Sequence, residues 1–257
     1  MTVVQPLPEL LESLRAHGLR KGLPGPMPEP ISGPRAIPTG HPGLDAALRS
    51  GGWPRGSLAL LDAPAGSGAT TLALGSLAAC QAAGGLVAYL DAAGNLDPST
   101  AARLGINLDW LLVVRPADVA EAVELAGWLA RERRIDAMVL DLAGGVPAHA
   151  LERLANLLVR SDGVTLLLTG MAGAGRGAAG VRVALRRRAW LAVGRDLVGQ
   201  RVEATVERHR WALAGGRAEL DLFFAEGRRV YALLRAEARP VAEDHAEERP
   251  ALRVVSA

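Results

Sequence analysis

Eight residues, Ala63-Pro64-Ala65-Gly66-Ser67-Gly68-Ala69-Thr70, have the spacing of a phosphate-binding loop. They follow an apolar run, Leu58 to Leu61, and lead into a small-residue segment that begins near Thr70. A strand that feeds such a loop into a helix presents backbone N–H groups to phosphates. The pattern G-x-x-x-x-G-K-[ST] adds a lysine that reaches the β and γ oxygens. Here Ala63 takes the place of the first glycine and Ala69 that of the lysine. No neighbour substitutes, because the chain's single lysine is Lys21, far upstream. A charge-assisted contact of that kind is worth roughly 1.5–3 kcal/mol, and more as charge develops in a transition state. Thr70 keeps a hydroxyl suited to magnesium. Asp141, which closes the run Ala137 to Leu140, has the place of a Walker-B carboxylate. Without the lysine, Asp141 reads more simply as an ordinary strand-end residue than as a metal ligand. The expectation is a loop that holds ATP and magnesium weakly at best.

The elements around this loop follow from hydrophobic periodicity. Apolar runs predict strands at Ser57–Asp62, Leu86–Asp91, Leu111–Val114, Ala137–Asp141 and Thr165–Thr169. Amphipathic segments between them predict helices at Thr70–Ala83, Pro98–Leu104, Ala117–Glu132 and Pro147–Val159. Continuous apolar strands alternating with helices imply an α/β fold with a mostly parallel sheet covered on both faces. After Gly180 the alternation changes. Ala189–Val193, Val202–Arg210, Leu220–Phe224 and Arg229–Leu233 predict antiparallel strands joined by tight turns such as Ala214-Gly215-Gly216. A leading helix up to residue 21 carries Leu7, Leu10, Leu11 and Leu14 on one face. Residues 22–36, rich in Pro and Gly, form a linker that holds neither helix nor central strand. The globular domain therefore spans 37–235, and the polar, Pro-containing segment 236–257 is expected to be a disordered tail. The leucine face either folds back on its own core or docks on another subunit.

Charge and cysteine usage narrow the function classes. The chain has 257 residues and a formal net charge of +2. Between Met171 and Gly215 nine arginines stand against Asp196, Glu203 and Glu207. Arg176, Arg182, Arg186, Arg187 and Arg188 form the densest part, beside the Gly/Ala-rich segment Met171–Gly180. Such a patch can meet phosphates without reading bases, meet an acidic protein partner, or simply be solvated. It lacks the aromatic interleaving that single-strand stacking uses. The one cysteine, Cys80, permits no internal disulfide and reads as a buried thiol in a reducing cytoplasm. Scattered histidines give no metal spacing, and no apolar run is long enough for a membrane span. Trp53, between glycine and proline in a turn, is the tryptophan expected to be exposed.

Short words in a fixed order carry a family resemblance. Ile37-Pro-Thr-Gly40, Leu44-Asp45, Ala47-Leu48, Gly51-Gly52, Pro54 and Gly56 resemble the start of the RecA recombinase core. Leu90-Asp91-Ala92, Leu96-Asp97-Pro98, Ala102-Arg103-Leu104-Gly105, Asp109 and Leu111-Leu112 continue the likeness to Asp141, and more weakly to about Gly227. The resemblance implies a catalytic glutamate two residues after Asp91, where this chain has Ala93. It implies a sensor glutamine after the strand ending at Thr169, where the chain has Gly170 and Met171. Lysine, glutamate and glutamine are thus all replaced, so the chain is expected not to be an enzyme but a pseudo-ATPase. Among RecA relatives it resembles ImuA, the accessory protein of mutagenic translesion synthesis, in size, in lacking RecA's C-terminal domain and in the eroded loop. That resemblance implies a cytoplasmic, nucleoid-associated protein of the SOS response to DNA damage. It would dock on an ImuB-type polymerase-like protein, on RecA or on itself, with Leu7, Leu10, Leu11 and Leu14 as the docking helix. The alternatives are a DNA-binding RecA paralogue with residual ATP binding, and an SOS-linked cell-division inhibitor of the same fold.

Overall fold

The computed structural model describes residues 36–133, 135–142, 146–169, 175–193 and 195–224, with the backbone of 252–256. A two-stranded antiparallel ribbon, β1 (Ala36–Ile37) with β2 (Trp53–Pro54), flanks the short helix α1 (Pro42–Leu48). The main sheet is built from β3 (Ser57–Asp62), β4 (Val87–Asp91), β5 (Leu111–Val114), β6 (Ala137–Leu142), β7 (Val164–Thr169), β8 (Val181–Val193), β9 (Asp196–His209), β10 (Arg217–Phe223) and β11 (Leu252–Ser256). Across it the order is β10-β9-β8-β3-β7-β6-β4-β5, with β11 beside β8. From β5 to β8 every pairing is parallel; β8, β9, β10 and β11 pair antiparallel. The α/β class, the parallel centre and the antiparallel extension match the reading of the sequence.

Helices cover both faces. On one side α2 (Ala69–Ala82) buries Leu72, Ala73, Leu74 and Leu77 against Leu61, Tyr89, Val139, Leu166 and Leu168 of the strands. The alternate strand residues, including Leu60, Leu90, Leu140 and Leu167, are buried on the other face, towards α4 (Val119–Glu132) and α5 (Ala148–Leu158). Strands buried on both faces must be apolar throughout, which is why periodicity of two is absent there. Local signals set the helix starts. At α3 (Pro98–Arg103) Asp97 accepts hydrogen bonds from the Ser99 and Thr100 N–H groups, with Pro98 following it. At α4 the Asp118 carboxylate accepts the Glu121 N–H, and Glu121 accepts the Ala117 N–H.

Three expectations are corrected. Strand β8 begins at Val181, not Ala189, and runs 13 residues. Its first half is legible as alternation, since Val181, Val183 and Leu185 are buried. The three consecutive exposed arginines after it break the period. The structure accommodates them with a register shift against β9 between Arg187 and Ala189, a β-bulge that interrupts the in-out alternation. The disordered tail is corrected over Leu252–Ser256, which pair as β11 with the far half of β8. Trp53 is not exposed: it is fully buried, and its indole N–H donates to Ser76 Oγ at 3.0 Å. Trp53 pairs with Ile37 in the ribbon, and both side chains belong to the core that α2 helps to build. The leucine face at 7–14, the linker up to residue 35, the expected strand Arg229–Leu233 and residues 236–251 lie outside the described residues.

Candidate functional site

The loop Ala63–Gly68 sits where the motif requires, between the C-terminal end of β3 and the first turn of α2. Gly66 and Gly68 adopt φ of 74° and 87°, the left-handed region that side chains with a Cβ resist. Ser67 is buried and donates its N–H to Pro64 O at 3.1 Å, closing a tight turn. Ala69 is the first residue of α2, and its partly buried methyl packs against the core. Thr70 is exposed one residue further. An anion at a helix start gains from the free N–H groups and the dipole, and this start carries no side-chain cap.

Asp141 lies two strands away at the same level of the sheet: Leu61 pairs with Leu168, and Leu168 with Asp141. It is buried, and the Tyr89 hydroxyl donates to Asp141 Oδ2 at 2.7 Å. Burial pushes the Asp141 carboxyl up, while the Tyr89 hydrogen bond draws it partly back and nearby Asp91 adds to the rise. Burial and the adjoining carboxylates push the Tyr89 phenol far above its ordinary value. Tyr89 therefore stays a neutral donor, and the Walker-B position is engaged in a packed hydrogen bond. Neither Tyr89 nor Asp91 stands out in the sequence as part of this site. Asp91 ends β4 opposite Asp141, accepts the Asn95 N–H at 2.8 Å and meets Arg115 at 3.4 Å. The only advance signal was that two carboxylates end adjacent strands. Ala93, in the turn after Asp91, offers no polar side chain. Gly170 lies outside the described residues.

The arginines expected to face DNA or a partner are mostly engaged within the fold. Arg176 meets Asp62, at the base of the loop, at 2.7 Å. Arg188 meets Glu203 at 2.8 Å. Arg182 Nε stands 2.8 Å from Glu207, a salt-bridge distance without hydrogen-bond alignment, since that nitrogen finds no aligned acceptor. Arg187 lies over the Trp190 ring at 4.3 Å and reaches Gly66 O at 3.5 Å. Arg186 is exposed beside them. The structure thus brings Arg187 and Arg176 to the loop and spreads the others along β8. Among the described residues no group of three His, Cys, Asp or Glu is placed to hold a metal ion, and no helix is long and apolar enough to cross a membrane.

The sequence is similar to that of known proteins. Residues 32–156 match the RecA N-terminal domain. RecA of Nocardia farcinica (strain IFM 10152) is 33% identical over 236 residues, covering 77% of this chain and 67% of that protein. RecA of Wolinella succinogenes is 32% identical over 237 residues, covering 77% and 68%. The chain belongs to the RecA family. It spans about two thirds of the length of these RecA proteins. The crystal structure of the RadB recombinase superposes with a TM-score of 0.55 at 20% identity, over 72% of this chain and 95% of RadB, a likeness of fold. In this RecA-family chain the loop, β3 and α2 occupy the matched N-terminal domain, whereas the arginines of β8 follow it.

Proposed function

We propose that this RecA-family chain is a non-hydrolysing accessory protein of DNA damage tolerance. It acts in translesion synthesis of the ImuA type by docking on an ImuB-type polymerase-like protein or on RecA. One observation carries the reading: Ala69, at the first position of α2, puts a core-packed methyl where phosphoryl transfer needs a cation. Asp141 supports it, because burial raises its carboxyl and one of its oxygens already accepts from Tyr89, both of which work against a charged carboxylate open to magnesium. Catalysis of phosphoryl transfer is positioning and charge stabilisation, and both groups that would supply them here are neutral or occupied. What remains is surface, and the family's fold supplies surfaces for docking. The test is size-exclusion chromatography of the full chain with a purified ImuB-type protein and, separately, with RecA. Co-elution that needs no nucleotide supports the proposal, and failure to co-elute with either contradicts it.

A second reading has its own observation. Arg187 reaches the loop from β8, and a guanidinium there favours an anion, which fits a DNA-binding paralogue with residual nucleotide affinity. Steeply salt-dependent binding to single-stranded DNA, lost on replacing Arg186 and Arg187 by alanine, would favour that reading.

A further inference from the structure

A side chain of β9 already fills the flank of the loop. Gln200 is 3% exposed. With its amide oriented to satisfy both partners, its nitrogen donates to Gly66 O at 3.0 Å and its oxygen accepts from Gly68 N at 3.1 Å. A Cβ on Gly68 would stand 2.7 Å from the atom of the Gln200 side-chain amide that faces it, the oxygen in this orientation, and 2.5 Å from Leu222 Cδ1, so both side chains lie close against the loop. Gln200 and Leu222 face each other across β9 and β10. The next pair in that register, Arg201 and Asp221, locks the two strands with hydrogen bonds of 2.7 and 2.9 Å. Gly199 keeps the strands close, because a Cβ there would meet Leu222 O at 2.6 Å.

We propose that Gln200 is an intramolecular latch that occupies the phosphate-binding loop in place of an anion. The chemistry of the two backbone groups supports this. Gly66 offers a carbonyl and Gly68 an N–H to the same spot. A phosphate only accepts hydrogen bonds from such groups and is repelled by the carbonyl. A primary amide has one donor side and one acceptor side and satisfies both. Because Gln200 itself is buried, leaving its amide without these two partners is costly. The loop is thereby held in its left-handed turns with nothing bound. The latch rests on the non-hydrolysing reading and deepens it: the loop is occupied as well as lacking its lysine, so restoring the lysine alone does not restore binding.

The test uses four full-length proteins: wild type, Ala69→Lys, Gln200→Ala and the double variant. Each is titrated with inorganic tripolyphosphate and with magnesium-ATP by calorimetry at low salt. The exchange of the Gly68 amide is followed by NMR. The latch predicts no saturable binding to wild type or Ala69→Lys, and binding to the double variant at least tenfold tighter than to either single variant. It predicts a Gly68 amide protected in wild type and exchanging at least tenfold faster in Gln200→Ala. Gln200→Met, which keeps the length but loses both the donor facing Gly66 O and the acceptor facing the Gly68 N–H, should also speed Gly68 exchange, and covers the case in which Gln200→Ala fails to fold. Ala69→Lys binding as tightly as the double variant, or Gly68 protection unchanged in both Gln200 variants, would overturn the latch. Phosphate release by wild type sinks the non-hydrolysing reading instead, and Gly68 exchange judges the latch separately.

Discussion

Replacing Tyr89 by phenylalanine isolates the hydrogen bond that occupies the Walker-B position. Only the hydroxyl is lost, from a ring that is fully buried, so packing is nearly conserved. Asp141, 7% exposed and 2.7 Å from that hydroxyl, is left with a buried oxygen that has lost its donor. An orphaned buried partner costs about 1–3 kcal/mol. In a domain of this size each kcal/mol moves Tm by about 2–4 °C, so Tyr89→Phe should melt roughly 2–12 °C lower at neutral pH. The pH dependence has a definite sign. Burial raises the folded-state Asp141 carboxyl above its unfolded value, so the folded state binds the extra proton. The stability associated with Asp141 is then greatest below the unfolded value and is lost as pH rises through the folded one. The Tyr89 hydrogen bond opposes that rise; removing it raises the folded value further. The Tyr89→Phe penalty should therefore be full at neutral pH and shrink as pH falls into the acid range. Urea denaturation at several pH values, repeated in an Asp141→Leu background, measures the coupling directly. A penalty equal in both backgrounds, or one that grows towards acid, would refute the assignment.

Other expectations concern the frame that holds the loop. Trp53→Ala should cost about 3–5 kcal/mol by urea denaturation, because the ring is fully buried and hydrogen-bonded to Ser76; a cost under about 1 kcal/mol would return Trp53 to the surface. Cys80, whose thiol is pushed up to about 12, chiefly by burial, should not react with Ellman's reagent in the native state at pH 8 and should react fully in guanidinium. Rapid labelling of the native protein would contradict its burial. Gly199→Ala should destabilise by about 1–3 kcal/mol through the clash with β10, and an unchanged midpoint would argue against that strand pairing.

The parallel half of the fold was legible because its strands are apolar throughout and alternate with helical segments. The loop was legible for the same reason, as glycines at fixed spacing between a strand and a helix. What escaped was contact between distant segments. Gln200 reads in sequence as an unremarked polar residue of an antiparallel strand, and it reaches Gly66 and Gly68 because β9 pairs with β8, and β8 with the β3 strand that feeds the loop. Tyr89 reads as a core aromatic, and the parallel register of β4 and β6 makes it the partner of Asp141. The arginines show the converse. Their local excess of charge is plain in sequence, but cross-strand acids at Glu203 and Glu207 engage part of it. Trp53 misled because its turn neighbours say nothing about the side on which the ring packs.

Phosphate release by the purified wild-type chain, with magnesium-ATP and with or without single-stranded DNA, tests the central claim most directly. The account predicts a rate indistinguishable from a protein-free control in both conditions. Magnesium-dependent release that rises with protein concentration and disappears in a Thr70→Ala variant would contradict it.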